Sequence, residues 1–471
     1  MEMSTEVQRG DTLLSSLSAY SVLEFIGEGY FGKVAKCLNI RTRETVAIKI
    51  CKETPGVFHD TKKEISTLER LSVLDPESSN LIRFIERFDH VGQCCLAFEM
   101  LDIDLYDLLN SSPPLSVSAI RPIAQQLMVA LDALKGLGIV HCDIKPDNIM
   151  LVSRSQPFRV KLIDFGEAIP ITQLPRGPLF QPLGYRAPEV SLGLPLTEAI
   201  DMWGVGCVLA SLFLADNLFA VNCDYLMMKQ IVITLGQPED YLLAAGKNTH
   251  RYFKQDPWWN LEDPLAWRLL TPREYEAENS RSALLDYTVP LRSLEDLAHI
   301  YSGGDSAEME DRLAFADFLK DVLHLDGFMR ISPATALQHS YLTMRHQVMS
   351  PEMSDDTTSV MGSSPTPHQP LPSFASLSLP SPASPSPSQP LLSFPNLSLP
   401  SPASPSPPQP LHSASASRES DLASLASAST SRSRKLLKRV RSFFSRLKTP
   451  LPSFPSLFIS SSAFTFLPHM L

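Results

Sequence analysis

The chain has 471 residues and a formal net charge of −10. That charge is divided: residues 351–471 carry nine Lys/Arg against five Asp/Glu, or +4, which leaves −14 for the first 350. An acidic body argues against non-specific nucleic-acid binding and no direct nucleic-acid site is evident; seven cysteines, all before residue 224 and without a zinc spacing, fit a reduced intracellular compartment better than a disulfide scaffold.

Residues 1–19 are polar, contain no apolar run that would make a secretory signal, and are expected to be mobile. Strand patterns start at Tyr20. Residues 20–26 enter a glycine-rich turn, Gly27-Glu28-Gly29-Tyr30-Phe31-Gly32, and residues 33–37 alternate polar and apolar. Residues 44–50 are rich in β-branched residues, so a hairpin followed by a third antiparallel strand is predicted. Ile65, Leu68 and Leu71 share a helical face over residues 60–74. Two more strands are placed at about 81–88 and 93–99. After Leu101 helices dominate, starting with a long one from Ser118 to Leu137. A short strand pair is expected at 149–152 and 160–163. The longest apolar run, residues 203–215, is too short to cross a bilayer and reads as a buried helix; no transmembrane segment is expected. Residues 236–311, with Trp258, Trp259 and Trp267, read as an irregular insertion on the helical part. Strands first and helices second predict an α+β fold of two lobes with a cleft between them, an antiparallel β lobe over about 20–101 and a helical lobe over about 102–345.

Beyond this the grammar changes. Sixteen of the 40 prolines fall within residues 365–410, where QPLPSFASLSLPSPASPSPS nearly repeats as QPLLSFPNLSLPSPASPSPP. Two copies so rich in Pro and Ser cannot bury a core, so 346–431 is read as a disordered linker. Residues 432–448 carry eight positive charges, with Leu436, Val440, Phe443 and Leu447 at helical spacing. Such a basic amphipathic segment suits an import receptor, calmodulin, a membrane or another acidic surface; the alternative is a solvated basic run that balances the acidic body. Residues 449–471 form an aromatic-rich tail.

The motifs carry phosphate chemistry. Gly27, Gly29 and Gly32, followed by Val34, let backbone N–H groups approach phosphate oxygens. A Rossmann turn would need a helix after the glycines, and a strand follows instead. Lys49, on the third strand, is a cation for the phosphates, and Glu64 on the next helix is the carboxylate that would fix it. The most specific stretch is His141-Cys142-Asp143-Ile144-Lys145-Pro146-Asp147-Asn148, with Asp164-Phe165-Gly166 beyond. A hydroxyl attacking a γ-phosphate must lose its proton, which calls for Asp143. Charge grows on the transferred group, which calls for Lys145. Metal ions bridging the phosphates need oxygen ligands, which calls for Asn148 and Asp164.

With Ala187-Pro188-Glu189, these motifs resemble the eukaryotic protein-kinase signature set over residues 20–345. The resemblance implies ATP and Mg²⁺. Lys145 after the catalytic acid implies Ser/Thr acceptors, and Asp201-Met202-Trp203 resembles the helix that braces the catalytic loop. It also implies that Arg330, in a late helix, pairs with Glu189. Residues 98–109, the arginine-free His141-Cys142-Asp143, Tyr185–Glu189 and Leu192–Pro195 are similar to the homeodomain-interacting protein kinases, relatives of the dual-specificity tyrosine-regulated kinases. That match implies the insertion after Gly236, Ser/Thr acceptors near proline, protein substrates with transcription regulators among the partners, and a setting in the nucleus, the cytoplasm or both. By the same match Phe98 guards the back of the adenine pocket, Glu99 and Leu101 offer backbone groups, and Val34, Ala47 and Met150 sandwich the base. Ile26, Glu28 and Lys33 complete the ATP-binding set.

The chain departs from the family in its activation segment. Leu179 or Phe180 stands where a phosphorylatable tyrosine is usual, and Cys142 replaces the arginine that would meet the phosphate. Packing of Leu179, Phe180 and Leu183 is expected to hold this loop instead. Pro182 replaces a hydroxyl residue that usually bonds the catalytic acid and lysine, which bears on substrate positioning. The reading is therefore a protein serine/threonine kinase; the alternative is a weakly active or inactive kinase-shaped scaffold.

Overall fold

A computed structural model of the chain describes residues 6–29, 31–52, 54–175, 180–256, 266–279, 283 and 291–348. Of the linker expected over 346–431, residues 346–348 end a short helix, Arg345–Val348; the rest of it, the basic segment and the aromatic tail lie outside the described residues, as do Leu179, Trp258 and Trp259.

The first lobe is a six-stranded antiparallel sheet ordered β1-β2-β3-β4-β6-β5. Its strands are β1 (Thr12–Leu14), β2 (Ala19–Glu28), β3 (Gly32–Asn39), β4 (Thr45–Cys51), β5 (Phe84–His90) and β6 (Gln93–Glu99). β3 follows the glycine turn directly, as the case against a Rossmann turn requires. Alternation sends Ala35, Cys37, Val46, Ile48, Ile50, Cys95 and Ala97 to the outer face. Lys49, Cys51, Leu96 and Phe98 fall on the inner one. There they meet helix α1 (Pro55–Leu71), through Ile65, Leu68 and Leu71 as their spacing predicts.

The expectation of a mobile N-terminus over 1–19 is corrected for its described residues, which start at Glu6. Thr12–Leu14 pairs with Ala19–Ser21 as an edge strand, and Val7 and Leu13 are buried on the outer face of the sheet. The cause lies in the sheet, not in the local sequence: an uncovered outer face would leave Tyr20, Val22 and Ile48 to water. Tyr20 stacks on Phe88 at 5.6 Å, and its hydroxyl donates to Glu86 at 2.6 Å. Leu13→Ala is expected to cost about 2–4 kcal/mol, read as a fall in Tm by calorimetry.

The second lobe is helical. Helix α2 (Leu105–Ser111) is capped by Asp104, and α3 (Val117–Gly136) by Ser116. The two-stranded pairs β7 (Ile139–Val140) with β10 (Ile169–Pro170), and β8 (Ile149–Ser153) with β9 (Arg159–Leu162), frame the catalytic stretch. Helices α4 (Pro188–Leu192) and α5 (Ala199–Leu214) follow. Every residue of α5 from Ile200 to Phe213 is buried, so the longest apolar run is a core helix. No helix among the described residues is long and apolar enough to cross a membrane.

The region read as an irregular insertion follows α6 (Asp224–Leu235) and is more regular than its sequence suggests. It contains α7 (Asp240–Ala245), the ribbon of β11 (Phe253–Gln255) with β12 (Trp267–Leu269), and α8 (Pro272–Asn279). Tyr252, Phe253, Trp267, Leu270 and Tyr275 bury themselves against Leu192, Leu194 and Tyr225, a cluster separate from the main core. Helix α9 (Ser306–Val322) packs on α5 and α3.

Candidate active site

The cleft between the lobes holds a cavity of about 330 Å³. Ile26, Gly27, Val34, Ala47, Lys49, Glu64, Phe98, Glu99, Leu101, Met150 and Asp164 line it, which brings together most of the residues singled out in the sequence. Register does the work: Ala47 lies opposite Phe98 and Val46 opposite Glu99 across β4 and β6, while Gly27 pairs with Val34 across β2 and β3.

Glu28, Gly29, Gly32 and Lys33 form the β2–β3 turn and do not line the cavity. The Lys33 side chain pairs with Glu6 of the N-terminal segment. Gly32 is required by the fold itself. A Cβ there would lie 1.9 Å from the Ile50 carbonyl oxygen. At Gly29 a Cβ would meet nothing within 4 Å, so the chain's own packing does not demand a glycine there.

Lys49 donates to both Glu64 oxygens at 2.6 and 2.7 Å, and lies 3.7 Å from Asp164. The pair is secluded, Glu64 being 2 % exposed. Burial works against the Lys49 charge, but Glu64 and Asp164 outweigh it and hold the ammonium above its ordinary value. Burial likewise opposes ionisation of Asp164, and Lys49 with the Gly166 N–H overrides it, so this carboxyl titrates below the usual range. The Phe31 ring lies over Lys49, 5.0 Å from Nζ.

The catalytic stretch is a braced loop. Asp201, near the start of α5, accepts from the backbone N–H of His141 at 2.6 Å and of Cys142 at 2.9 Å. This holds Cys142 at φ +65°, a conformation costly for a non-glycine residue. Asp143 then receives Lys145 Nζ at 2.6 Å and Asn148 Nδ2 at 2.7 Å on one carboxylate oxygen. Asn148 is 5 % exposed and also donates to the Asp143 carbonyl at 2.8 Å. Asp164 too has a left-handed backbone, φ +60°, just before Phe165 packs edge-on against His141 at 5.1 Å. Asp201→Ala is expected to release the loop. Turnover should fall while nucleotide affinity changes by less than about threefold, because Asp201 does not line the cavity. Steady-state kinetics beside ATP titration checks this.

The donor set fits Mg²⁺. Both amide hydrogens of Asn148 go to Asp143, which leaves its Oδ1 for a cation, and Asp164 is ionised. The described residues contain no group of three or more His, Cys, Asp or Glu that could hold an ion unaided. A hard cation bound through two protein oxygens, phosphates and water is the arrangement these residues can support.

The activation segment is tied to the chain's own backbone. Arg186 donates to the carbonyls of Phe180 (2.9 Å) and Gln181 (3.0 Å). Gln181 accepts from Ala187 N–H and donates to the Ile200 carbonyl, linking loop and α5. Phe180 and Leu183 pack on the main core. Cys142 is 3 % exposed, and burial pushes its thiol up. Arg330 meets Glu189 through two bonds, 2.7 and 3.0 Å, as expected; however, it sits in a turn after α9, not in a helix.

Sequence reasoning missed several lining residues: Leu68, Ile82, Met100, Asp104, Ile163 and Phe165. Most are ordinary apolar residues with no motif to flag them. Asp104 had a signal, a carboxylate at a helix start. Its Oδ1 caps α2 through the Asp107 N–H at 2.7 Å. Desolvation lifts its carboxyl to about 6. The native state therefore binds the extra proton between the ordinary aspartate range and about 6, and stability attributable to this group falls as pH rises through that window. Asp104→Asn, which keeps a capping side chain, should raise Tm more at pH 7.5 than at pH 5. Thermal scans at the two pH values check it.

Comparison with known proteins agrees with this geometry. A protein kinase domain model matches residues 20–342. Homeodomain-interacting protein kinase 1 of Mus musculus is 43 % identical over 353 residues, 73 % of this chain and 29 % of that protein. Homeodomain-interacting protein kinase 2 of Mesocricetus auratus is 43 % identical over 345 residues, 71 % of this chain and 29 % of that protein. Homeodomain-interacting protein kinase 4 of Mus musculus is 36 % identical over 350 residues, covering 71 % and 56 %. The chain thus matches less than a third of the length of the first two relatives. With its braced catalytic loop and its paired cleft lysine, the chain belongs to the protein kinase family, as a member similar to the homeodomain-interacting protein kinases.

Proposed function

We propose that the chain is an ATP- and Mg²⁺-dependent protein serine/threonine kinase that acts on Ser/Thr near proline in protein substrates, transcription regulators among them, in the nucleus or cytoplasm. The observation that carries this is the complete polar constellation: Lys49 bonded to Glu64, and Asp143 bonded to both Lys145 and Asn148. Val34, Ala47 and Met150 would flank the adenine, Phe98 would close the back, and the backbone at Glu99 and Leu101 would read its edge. Asp104, at the cavity mouth, is a suitable acceptor for sugar hydroxyls.

In this reading Lys49, kept charged by Glu64, grips the phosphates. Asp143 accepts the proton from the attacking hydroxyl, and Lys145 beside it offsets the charge that grows on the transferred group. Asn148 and Asp164 would hold Mg²⁺, which when bound would supply positive charge against the phosphates. The activation loop would need no tyrosine phosphate, because Arg186 and Gln181 already tie it to the chain's own carbonyls and to α5.

One observation favours the alternative, a weakly active scaffold: Pro182 offers neither hydroxyl nor N–H to Asp143 and Lys145. A transfer assay separates the two readings. The purified chain should phosphorylate a Ser-Pro peptide in MgATP, and a Ser-Ala analogue more slowly. An equal signal from native chain and Asp143→Asn would reject the kinase reading in favour of the scaffold.

A further inference from the structure

Two of the seven cysteines lie opposite each other on neighbouring strands beneath α1. The β4–β6 register runs Val46–Glu99, Ala47–Phe98, Ile48–Ala97, Lys49–Leu96 and Ile50–Cys95. One step further sets Cys51 against Cys94. Both belong to the inner face, with Lys49 and Leu96, and both pack on the main core. Directly opposed residues of an antiparallel pair have Cα atoms about 4.5–5.5 Å apart, within the roughly 4.4–6.8 Å that a disulfide needs. On its other side Cys51 pairs with Gly32, which has no side chain to compete for the sulfur. Cys94 is also the one cysteine of the seven that is not buried.

We propose that Cys51 and Cys94 form a dithiol modification site that reacts with hydroperoxides and closes to a disulfide between β4 and β6. The surroundings favour Cys94 as the attacking sulfur. The neighbouring Cys51 thiol and the Arg87 guanidinium on β5 favour its thiolate and burial opposes it; the outcome is a thiol brought down to about 7. Cys51 is held up by its bond to Cys94 and by burial, which suits it as the resolving thiol. In the first step Cys94 Sγ attacks one peroxide oxygen. An S–O bond forms, the O–O bond breaks, and the departing alkoxide takes up a proton to leave as alcohol. In the second step Cys51 Sγ attacks the sulfenic sulfur. The S–S bond forms, the S–O bond breaks, and hydroxide leaves with the Cys51 proton as water. The two thiols lose two electrons and the peroxide gains them. Cys51 stands two residues from Lys49, and Thr61 of α1, three residues before Glu64, contacts its sulfur. The cross-link would therefore form at the seat of the Lys49–Glu64 pair.

The test uses the full chain and hydrogen peroxide as the probe, followed by alkylation, non-reducing digestion and mass spectrometry. Alkylatable thiols should fall from seven to five, with a Cys51–Cys94 peptide lighter by two hydrogens than its parts and full recovery after dithiothreitol. Cys51→Ala should give no cross-link, and its Cys94 should be trapped as a sulfenic adduct by dimedone. Cys94→Ala should retain an alkylatable Cys51. Circular dichroism of both variants establishes that they are folded. Retention of all seven thiols in folded native chain, a cross-link joining other cysteines, or conversion of Cys94 to sulfinic acid without a cross-link overturns the proposal.

Discussion

Glu64→Gln should lower kcat/KM for phosphoryl transfer by about 10²-fold, with the fold retained. Glu64 is the partner that favours the Lys49 ammonium and places it, at 2.6 and 2.7 Å, in a site where burial works against the charge. Glutamine preserves shape but gives Lys49 a single neutral oxygen. The lysine is then left with Asp164, 3.7 Å away, as its near carboxylate, and is drawn toward a residue needed for metal. The effect should appear in both ATP affinity and turnover. Steady-state kinetics with titration of ATP measures both, and circular dichroism checks the fold. An unchanged kcat/KM would mean that the pair is structural only.

Arg330→Met should destabilise the domain by about 3–5 kcal/mol, the scale for breaking a buried ion pair from one side. Arg330 is 0 % exposed and Glu189 is 4 % exposed. The guanidinium also donates to the carbonyls of Ala199 at 2.7 Å and His324 at 2.8 and 3.0 Å, and lies 5.2 Å from the Trp203 ring. Glu189 lies in the first turn of α4, close after the activation segment, so its loss of a partner should free the loop as well as the core. The double variant Arg330→Met, Glu189→Gln should recover part of the loss, because no unpaired carboxylate remains. Urea denaturation of the three proteins gives the comparison.

The parts of this molecule legible in its sequence are those where local pattern and tertiary demand agree. Ile65, Leu68 and Leu71 mark a helix face, and the same face buries against the sheet. The glycine turn followed by alternating residues 33–37 specifies a hairpin whichever tertiary structure it joins. Asp143, Lys145, Asn148 and Asp164 are legible for another reason: four polar residues in fixed order have little structural use apart from phosphate chemistry. The illegible parts are set by distant partners. Leu13 and Leu14 look like a short apolar pair in a polar end, and an otherwise bare sheet face recruits Leu13. Lys33 reads as part of a phosphate loop, and Glu6 takes its side chain. The family resemblance places Arg330 in a helix, yet a turn is what lets it reach Glu189 and two carbonyls at once. The insertion looked irregular because its aromatic residues follow neither helical nor strand spacing. They pack on Leu192, Leu194 and Tyr225, far away in sequence.

The proposed kinase transfers phosphate without a phosphate on its activation segment, and this can be measured directly. The direct measurement is the transfer rate to a Ser-Pro peptide by phosphatase-treated chain, with the phosphatase removed, beside untreated chain and Asp143→Asn. Treated and untreated chain should react at the same rate, with Asp143→Asn slower by about 10²–10⁴-fold, the usual scale of general base catalysis. A treated chain that falls to the Asp143→Asn rate would contradict the claim.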